Sequence, residues 1–432
     1  MPLTDDKLAW RAKPDPAAAI DDVPARPVPD RTVKPPSQSP VHSRRVDCAG
    51  VPVSITASCF TGSSGVREVH LILQPAAYGS ADKQLQWLDH GYQHALNELG
   101  MSLKTAVFRR VFCSDQANQA RNLARAAIAQ PRSGRLACAV SVVCEPPPPP
   151  AKVALWAYHV EDPRGDLVKT VEDASLIVHR GDLRHCWTTG ISNIDNSDPA
   201  RQTRTMFERY DEFLRGNGMN LADHAVRTWI YVRNIDADYP AMVKARRDYF
   251  AENGLTADTH FIASTGIQGA TTCTDALVSM DAYTVGGLQP PQVRFLNAPA
   301  HLGPAHQYGS TFERGTAIAY QDRIHVLLSG TASIDTEGNI VHPGNVLQQL
   351  DRTLENAAEL LGDADATLGD VLMWIVYVRD PSDAGAIAER FDSRAESTPR
   401  VIVTAPVCRP GWLVEVEGIA VVPASQPTMP PF

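Results

Sequence analysis

The segment PRVIVTAPVCRPGWLVEVEGIAV, residues 399–421, indicates β-structure that carries a polar site. Its pattern predicts a hairpin of two strands, 401–406 and 413–421, joined by a tight polar turn. In the second strand Glu415 alternates with apolar residues, and a mid-strand carboxylate on an apolar hairpin is costly unless something uses it. Arg400 opens the first strand. The segment therefore predicts that Arg400 and Glu415 face one cavity, a small-anion site with an acid beside it.

The chain upstream contains one pattern three times. Each copy has an amphipathic helix, a polar turn, a strand, an Ala/Arg-rich second helix and a closing pair of strands. This order predicts an α+β fold in which every copy places its helices on one face of a sheet. The predicted domains are a Pro-rich flexible leader (1–45), three units (46–161, 175–287 and 295–424) and a tail (425–432).

Composition limits the classes of function. The 432 residues carry a net charge of −9 with no long Lys/Arg run, which argues against a nucleic-acid partner. The sequence contains no run of 18 apolar residues, so no membrane span is predicted. The eight cysteines are scattered and form no CxxC pair, which predicts reduced thiols in the cytoplasm. His90 and His94 have metal-binding spacing but no third ligand, so neither a metal nor another cofactor is expected.

Two stretches that precede residues 399–421 resemble a known protein family. VLLSGTASIDTEGNIVHPGNVLQQLDRTLENAAELLG (326–362) and VLMWIVYVRDP (371–381) resemble the strand, helix and strand of the Rid (YjgF-like) superfamily, over about residues 310–424 in all. In that family an arginine grips a substrate carboxylate, and a glutamate fifteen residues later holds a water or acts as an acid. Arg400 and Glu415 match this pair. Rid proteins are homotrimers with sites between subunits, so the resemblance implies three tandem Rid-like units forming a pseudo-trimer within one chain.

Only the third copy keeps the pair. Glu415 aligns with Ser279 in the second copy and with an apolar residue near Leu155 in the first. One competent site with two degenerate ones is therefore expected.

A narrower resemblance is to the chorismatases, the Rid-related enzymes that remove pyruvate from chorismate. Their landmarks are matched in order by RTWIYVRNID (227–236), FIASTGIQG (261–269), PPQVRF (290–295), YGSTFERG (308–315), SGTASI (329–334) and CRPGWLVEVEG (408–418). The chain departs from that pattern at 335–341, which lacks a glycine-histidine-glutamate stretch, and at Glu313, where a small residue is expected. The resemblance implies that Cys408 and Gly315 occupy positions that distinguish product branches, with Cys408 matching the hydroxybenzoate branch.

The candidate site residues have distinct expected roles. Glu415 is the predicted catalytic acid, and the predicted substrate-binding residues are Arg400, Arg314, Tyr308, Phe312, Cys408 and Gly315. Guanidinium groups bind carboxylates by paired hydrogen bonds. The rings of Tyr308 and Phe312 are expected either to contact an apolar ring of the substrate or to pack against the protein core. Alternative interpretations are an ion pair for Arg400 and an exposed edge-strand acid for Glu415.

Three functions remain open from the sequence. The first is a chorismatase-like enzyme that releases pyruvate from chorismate or a related cyclic enol-ether dicarboxylate. The second is a Rid-type imine or enamine deaminase, in which Arg400 holds the carboxylate and Glu415 the attacking water. The third is a non-catalytic protein that binds small carboxylates. All three predict a small carboxylate as partner, no nucleic acid, no membrane, and a monomeric pseudo-trimer with possible self-association.

Overall fold

Three units, each a mixed sheet with helices packed against it, make up the described part of the chain. The structure is a computed structural model that describes residues 41–165, 167–195, 197–393 and 398–432. The predicted α+β class and the three tandem Rid-like units are confirmed.

The elements of the units follow one another along the chain. Unit 1 has strands β1 (His42–Arg45), β2 (Val53–Thr61), β3 (Arg67–Pro75), β4 (Ala106–Cys113), β5 (Ala139–Cys144) and β6 (Val153–Glu161), with helices α1 (Ala81–Glu98) and α2 (Gln116–Leu123). Unit 2 has β7 (Val168–Glu172), β8 (Ser175–Arg180), β9 (Leu183–Ser192), β10 (Ala225–Val232), β11 (Ala263–Gln268) and β12 (Val278–Gly286), with α3 (Pro199–Gly216), α4 (Leu221–His224) and α5 (Ile235–Glu252). Unit 3 has β13 (Val293–Phe295), β14 (Gly315–Ala319), β15 (Arg323–Leu328), β16 (Thr331–Ala332), β17 (Val371–Val378), β18 (Arg400–Thr404) and β19 (Val414–Pro423), with α6 (Val346–Asp363) and α7 (Ala384–Asp392).

One strand order recurs in all three sheets. The orders are β1-β2-β3-β6-β4-β5, β7-β8-β9-β12-β10-β11 and β13-β14-β15-β19-β17-β18, with β16 paired to β19. The last strand of each order lies parallel to its neighbour at the sheet edge. Parallel strands need a crossover connection, and α2, α5 and α7 supply it in the respective units.

The first long helix of each unit begins at a capping residue. The side chains of Ser80, Asp198 and Asn345 accept hydrogen bonds from backbone N–H groups in the first turn of α1, α3 and α6. The predicted apolar faces of these helices are buried against the sheets, for example at Leu88 in α1 and Leu354 in α6. The caps and the apolar spacing together explain why these segments are helical.

The prediction that residues 399–421 form a hairpin is wrong. β17 lies between the two strands, parallel to β18 and antiparallel to β19, so the intervening loop crosses a strand. The five prolines at 146–150 lie in the connection from β5 to β6, which likewise crosses a strand, β4. The predicted leader also extends too far, since His42–Arg45 pair with β2, whereas 1–40 lie outside the described residues.

The register confirms how the copies align. The matching aromatic residues of β4, β10 and β17 are Phe112, Tyr231 and Tyr377, and their partners on the neighbouring antiparallel strands are Ala154, Ser279 and Glu415. The position of Glu415 is therefore a serine in unit 2 and an apolar residue in unit 1, as predicted.

Buried ion pairs join the units where their sheets meet. Their six side chains are at most 5% exposed, and the pairs are Arg110–Asp281 (units 1 and 2, 3.0 Å), Arg227–Glu417 (units 2 and 3, 2.5 Å) and Arg323–Glu68 (units 3 and 1, 2.5 Å). Removing one partner of a buried pair leaves an uncompensated charge and costs about 3–5 kcal/mol. Each unit is thus held to both others.

Buried histidines should make the fold sensitive to acid. Burial lowers the pKa of His70, His159 and His185 to about 3 each. Because an unfolded histidine titrates near pH 6.5, the unfolded state binds more protons below that pH, and the free energy of unfolding falls as the pH falls. Below about pH 6.5 we expect these three groups to lower the free energy of unfolding by up to about 4 kcal/mol per pH unit. Glu145 and Glu415, whose pKa values are raised by burial, act in the opposite direction by up to about 1.4 kcal/mol per pH unit each, so the histidines should dominate. Urea denaturation at several pH values between about 6.5 and 5 measures the net loss, and a midpoint independent of pH in that range would contradict it.

Candidate active site

Glu415 lies in a cleft between units 2 and 3. It is the second residue of β19, pairs across the sheet with Tyr377 and Ala332, and is 4% exposed. Unit 3 contributes residues of the loops before β14 and β19, and unit 2 contributes α5 and β11. The fold therefore places this carboxyl where two units meet.

The surroundings of Glu415 favour the neutral carboxyl. In the described ranges its carboxyl group accepts no hydrogen bond. Burial, together with the negative charge of Glu417, raises the pKa of Glu415 to about 8, although the charges of Arg227 and Arg314 act in the opposite direction. A carboxyl with this pKa carries a proton at neutral pH and can donate it.

Glu417 has the opposite environment on the same strand. Its carboxylate accepts hydrogen bonds from Arg227 Nη2 at 2.5 Å, from Trp229 Nε1 at 2.7 Å and from the Thr265 hydroxyl. Three donors, one of them a charged guanidinium, therefore hold this carboxyl group in place. Glu417 is therefore a structural ion-pair partner, and Glu415 is the acid of the cleft.

Gly330, in the SGTASI motif, gives the Glu415 carboxyl its space. A Cβ atom at position 330 would lie 2.2 Å from Glu415 Oε1, closer than any real contact. The N–H of Gly330 donates to Thr265 Oγ1 at 2.9 Å, which fixes the backbone there. An alanine at this position would therefore displace the Glu415 carboxyl from its observed place.

Arg314 forms one cationic side of the cleft. It is 5% exposed, and its Nη2 donates to the carbonyl of Gly303 at 2.8 Å. The guanidinium carbon lies 5.3 Å from the ring centroid of Tyr308 and 5.4 Å from that of Phe312. The structure therefore brings together Arg314, Tyr308, Phe312 and Glu415, and the aromatic rings hold the guanidinium in place.

Arg246 is a second cation of the cleft that the sequence analysis missed. It lies on α5, is 2% exposed, and donates from Nε to Thr311 Oγ1 at 3.1 Å. Its Nη2 is buried and makes no hydrogen bond with any described residue. A buried guanidinium nitrogen without a partner, on the wall of a cleft, is suited to bind an anion. Its helical spacing from the buried residues Met242 and Phe250 is the signal that identifies it.

Of the two residues predicted to distinguish product branches, Cys408 lies in the cleft and Gly315 lies outside it. Cys408 lines the cleft, and burial raises its pKa to about 12, so it is a protonated thiol and not a nucleophile. Gly315 does not line the cleft, so the structure does not support it as a substrate-binding residue. A Cβ atom at Gly315 would lie 2.7 Å from Leu296 Cδ1 and 2.9 Å from the Leu327 carbonyl oxygen, so this glycine is required by packing.

The prediction that Arg400 faces Glu415 is wrong. Arg400 forms an ion pair with Asp392 at 2.6 Å and lines another cleft, of about 450 Å³, between units 3 and 1. In the Glu415 cleft the corresponding position of unit 2 is Ser264, which pairs with β10 as Arg400 pairs with β17. The two residues separate because the starts of β18 and β19 face different neighbouring units.

The Glu415 cleft is narrow. Its volume is about 30 Å³, which is room for one or two waters. A six-membered ring with two carboxylates is larger than this. Binding such a ligand requires side chains of the wall, such as Phe312 and Trp412, to move.

The residues that the structure describes form neither a metal site nor a membrane-spanning helix. Among them no three His, Cys, Asp or Glu side chains are grouped as metal ligands, and His94 instead hydrogen-bonds the carbonyl of Asp47. No helix in the same ranges is long and apolar enough to cross a membrane.

Known proteins resemble this chain in sequence and in fold. The family model described as Endoribonuclease L-PSP matches residues 314–422. A RutC family protein of Pyrococcus abyssi is 30% identical over 125 residues, 28% of this chain and 90% of the relative. The 3-aminoacrylate deaminase RutC of Acinetobacter baylyi is 31% identical over 99 residues, 22% of this chain and 77% of the relative. A chorismatase crystal structure matches with a TM-score of 0.57 at 19% identity, over 73% of this chain and 93% of that one, which shows a shared fold. The chain therefore belongs to the RutC family within the Rid (YjgF-like) superfamily.

Proposed function

We propose that this protein is an enzyme that releases pyruvate from chorismate or a related cyclic enol-ether dicarboxylate by general-acid catalysis. The observation that carries the proposal is the Glu415 carboxyl, whose pKa is raised to about 8 by burial, beside Arg246 and Arg314. Glu415 donates its proton to the methylene carbon of the enolpyruvyl group. Water then adds to the oxocarbenium carbon and gives one proton back to the Glu415 carboxylate. The resulting hemiketal collapses to pyruvate as its hydroxyl proton passes to the departing ring oxygen, which leaves as an alcohol.

The two arginines are proposed to hold the two carboxylates of the substrate. Arg314 comes from unit 3 and Arg246 from unit 2, so a dianion would be bound across the interface. Arg227 is not available for this role because it is paired with Glu417. Charge-assisted hydrogen bonds of this kind are about twice as strong as neutral ones, and two of them orient the ring relative to the acid.

Incubation with chorismate, followed by enzymatic measurement of pyruvate, tests this function. Release of pyruvate above the uncatalysed rate is expected from the wild-type protein, and Arg314→Ala should raise KM. Arg400→Ala is the matched control, because Arg400 lies in the other cleft and its loss should leave KM unchanged. A protein that binds chorismate without releasing pyruvate would instead be a carboxylate-binding protein.

A second candidate function is deamination of an imine or enamine. The observation in its favour is the 31% identity to the 3-aminoacrylate deaminase RutC of Acinetobacter baylyi. In the Glu415 cleft, Ser264 occupies the position at which the Rid pattern has an arginine. Arg246 or Arg314 would therefore have to bind the carboxylate of the substrate. Following the decay of a freshly generated 2-iminopropanoate with and without the protein distinguishes the two functions.

Both proposed functions require that the protein binds a small carboxylate as its substrate. The net charge of −9 supports a ligand held at a local arginine pair rather than along an extended basic surface. The same charge supports the proposal that nucleic acid is not a substrate.

Glu417→Gln should move the alkaline limit of turnover to lower pH. Turnover needs protonated Glu415, so kcat/KM should fall as the pH rises through the Glu415 pKa, near 8 in the wild type. The variant removes a negative charge and leaves the charge of Arg227 unpaired, and both changes favour ionised Glu415 and lower its pKa. Glu355→Gln, at an exposed position on α6, is the control, because it removes one negative charge outside the cleft. An unshifted alkaline limit in a folded Glu417→Gln protein would contradict the coupling.

A further inference from the structure

Two cysteines of unit 1 are neighbours across paired strands. Cys113 ends β4 and Cys144 ends β5, and the two are register partners in this parallel pair. Both side chains pack on the side of the sheet that α1 covers. Paired strands lie about 4.8 Å apart, within the Cα separation of roughly 4.4–6.8 Å that a disulfide needs.

The two thiols differ in exposure and in acidity. Cys113 is fully buried, whereas Cys144 is partly exposed. A hydrogen bond from Cys113, aided by the N–H of Gln116 at the start of α2, lowers the pKa of Cys144 to about 6 although burial opposes this. The same hydrogen bond and burial raise the pKa of Cys113. Cys144 is thus the thiolate that a reagent can reach, and Cys113 is a protonated thiol held behind it.

We propose that Cys113 and Cys144 form a dithiol site that low-molecular-weight disulfides oxidise to an intramolecular disulfide. The Cys144 thiolate attacks one sulfur of the external disulfide, whose S–S bond breaks to release the first thiolate. That thiolate accepts the proton of Cys113. Cys113 then attacks Cys144 Sγ, the mixed disulfide breaks, and the second external thiolate leaves and takes a proton from water. The protein loses two electrons, and the external disulfide is reduced to two thiols.

The position of the pair gives the bond a structural consequence. The N–H of Cys144 donates to the carbonyl of Ala270 in unit 2 at 2.7 Å, and the N–H of Thr404 in unit 3 donates to Pro146 two residues further on. Cys144 is therefore where the edge strand of unit 1 meets both other units. A disulfide would fix β5 to β4 at this junction. It lies outside the Glu415 cleft and does not depend on the function proposed for that cleft.

Mass spectrometry of the full chain after treatment with oxidised glutathione tests the proposal. Non-reducing digests of the wild type should contain a peptide linked through Cys113 and Cys144. Cys113→Ala should instead retain one glutathione on Cys144, and Cys144→Ser should form neither product. Cys59→Ser is the matched control, because Cys59 is also partly exposed, and it should keep the linked peptide.

A second measurement keeps the test valid if a variant fails to fold. Alkylation of Cys144 by iodoacetamide in the wild-type protein should reach half its maximal rate near pH 6. Absence of the linked peptide in oxidised wild type, or a half-maximal rate at or above about pH 8.5, the ordinary thiol value, would overturn the proposal.

Discussion

Glu415→Gln should lower turnover by roughly two to four decades and leave ligand binding nearly unchanged. Glutamine keeps the shape of the side chain and its capacity for hydrogen bonds, but it has no acidic proton to donate. Because neutral Glu415 carries no charge, the substitution also leaves the net charge of the cleft unaltered near pH 7. Steady-state kinetics measure kcat, and calorimetry with an unreactive dicarboxylate measures binding.

The matched control for this variant is Glu355→Gln, an exposed position on α6. It should have wild-type kcat. If Glu415→Gln were as active as wild type on the true substrate, Glu415 would have no catalytic role, and the ligand-binding interpretation would be the better one.

Gly330→Ala should reduce turnover by about 100-fold, the order expected when a catalytic group is displaced by about 1 Å. The added Cβ atom would lie 2.2 Å from Glu415 Oε1 and 3.2 Å from Thr265 Cγ2, so the carboxyl must move. Backbone strain is not the cause. Kinetics of the purified variant, with circular dichroism to establish folding, measure the effect.

Gly362→Ala is the matched control for the glycine substitution. Gly362 lies in α6, and a Cβ atom there meets nothing within 4 Å, so alanine should stabilise the helix by about 0.5–1 kcal/mol and leave kcat unchanged. Wild-type kcat in Gly330→Ala would mean that the acid does not need its observed position.

Local patterns predicted the elements and their repetition. Apolar spacing of 3.6 residues identified the helices of the three copies, and the repeated order of elements aligned Glu415 with Ser279, as the strand register shows. These features depend on residues close together in the chain. The carboxyl of Glu415 could be predicted for the same reason, since Glu415 and Glu417 interrupt an otherwise apolar strand.

The errors concern relations between distant segments. Local alternation does not reveal that β17 inserts between β18 and β19, so a crossing connection was taken for a hairpin turn. Nor does it reveal which neighbouring unit each strand end faces, and for this reason Arg400 was paired with Glu415. Arg246 was missed because Thr311, to which it donates, is in a loop of another unit, and only its place on the buried face of α5 distinguishes it from the exposed Arg247 beside it.

Fusion of the units has consequences for the clefts. In a ring of three identical units every cleft would contain both an arginine and a glutamate. Here the cleft between units 2 and 3 has Glu415 with Ser264 at the arginine position, and the cleft between units 3 and 1 has Arg400, whereas the residue of unit 1 that corresponds to Glu415 is Ala154. Separate copies can diverge, so the cations for an anionic ligand in the Glu415 cleft come from other positions, Arg246 and Arg314.

Titration of Glu415, followed by carboxyl carbon NMR, measures whether this carboxyl is protonated at neutral pH, and it needs no knowledge of the substrate. The difference between spectra of the wild type and Glu415→Gln assigns the signal. We expect a midpoint near pH 8, set by burial and by the charge of Glu417. A midpoint near the ordinary glutamate value of about 4.3 would mean an ionised carboxylate at neutral pH and would contradict the role of Glu415 as a general acid.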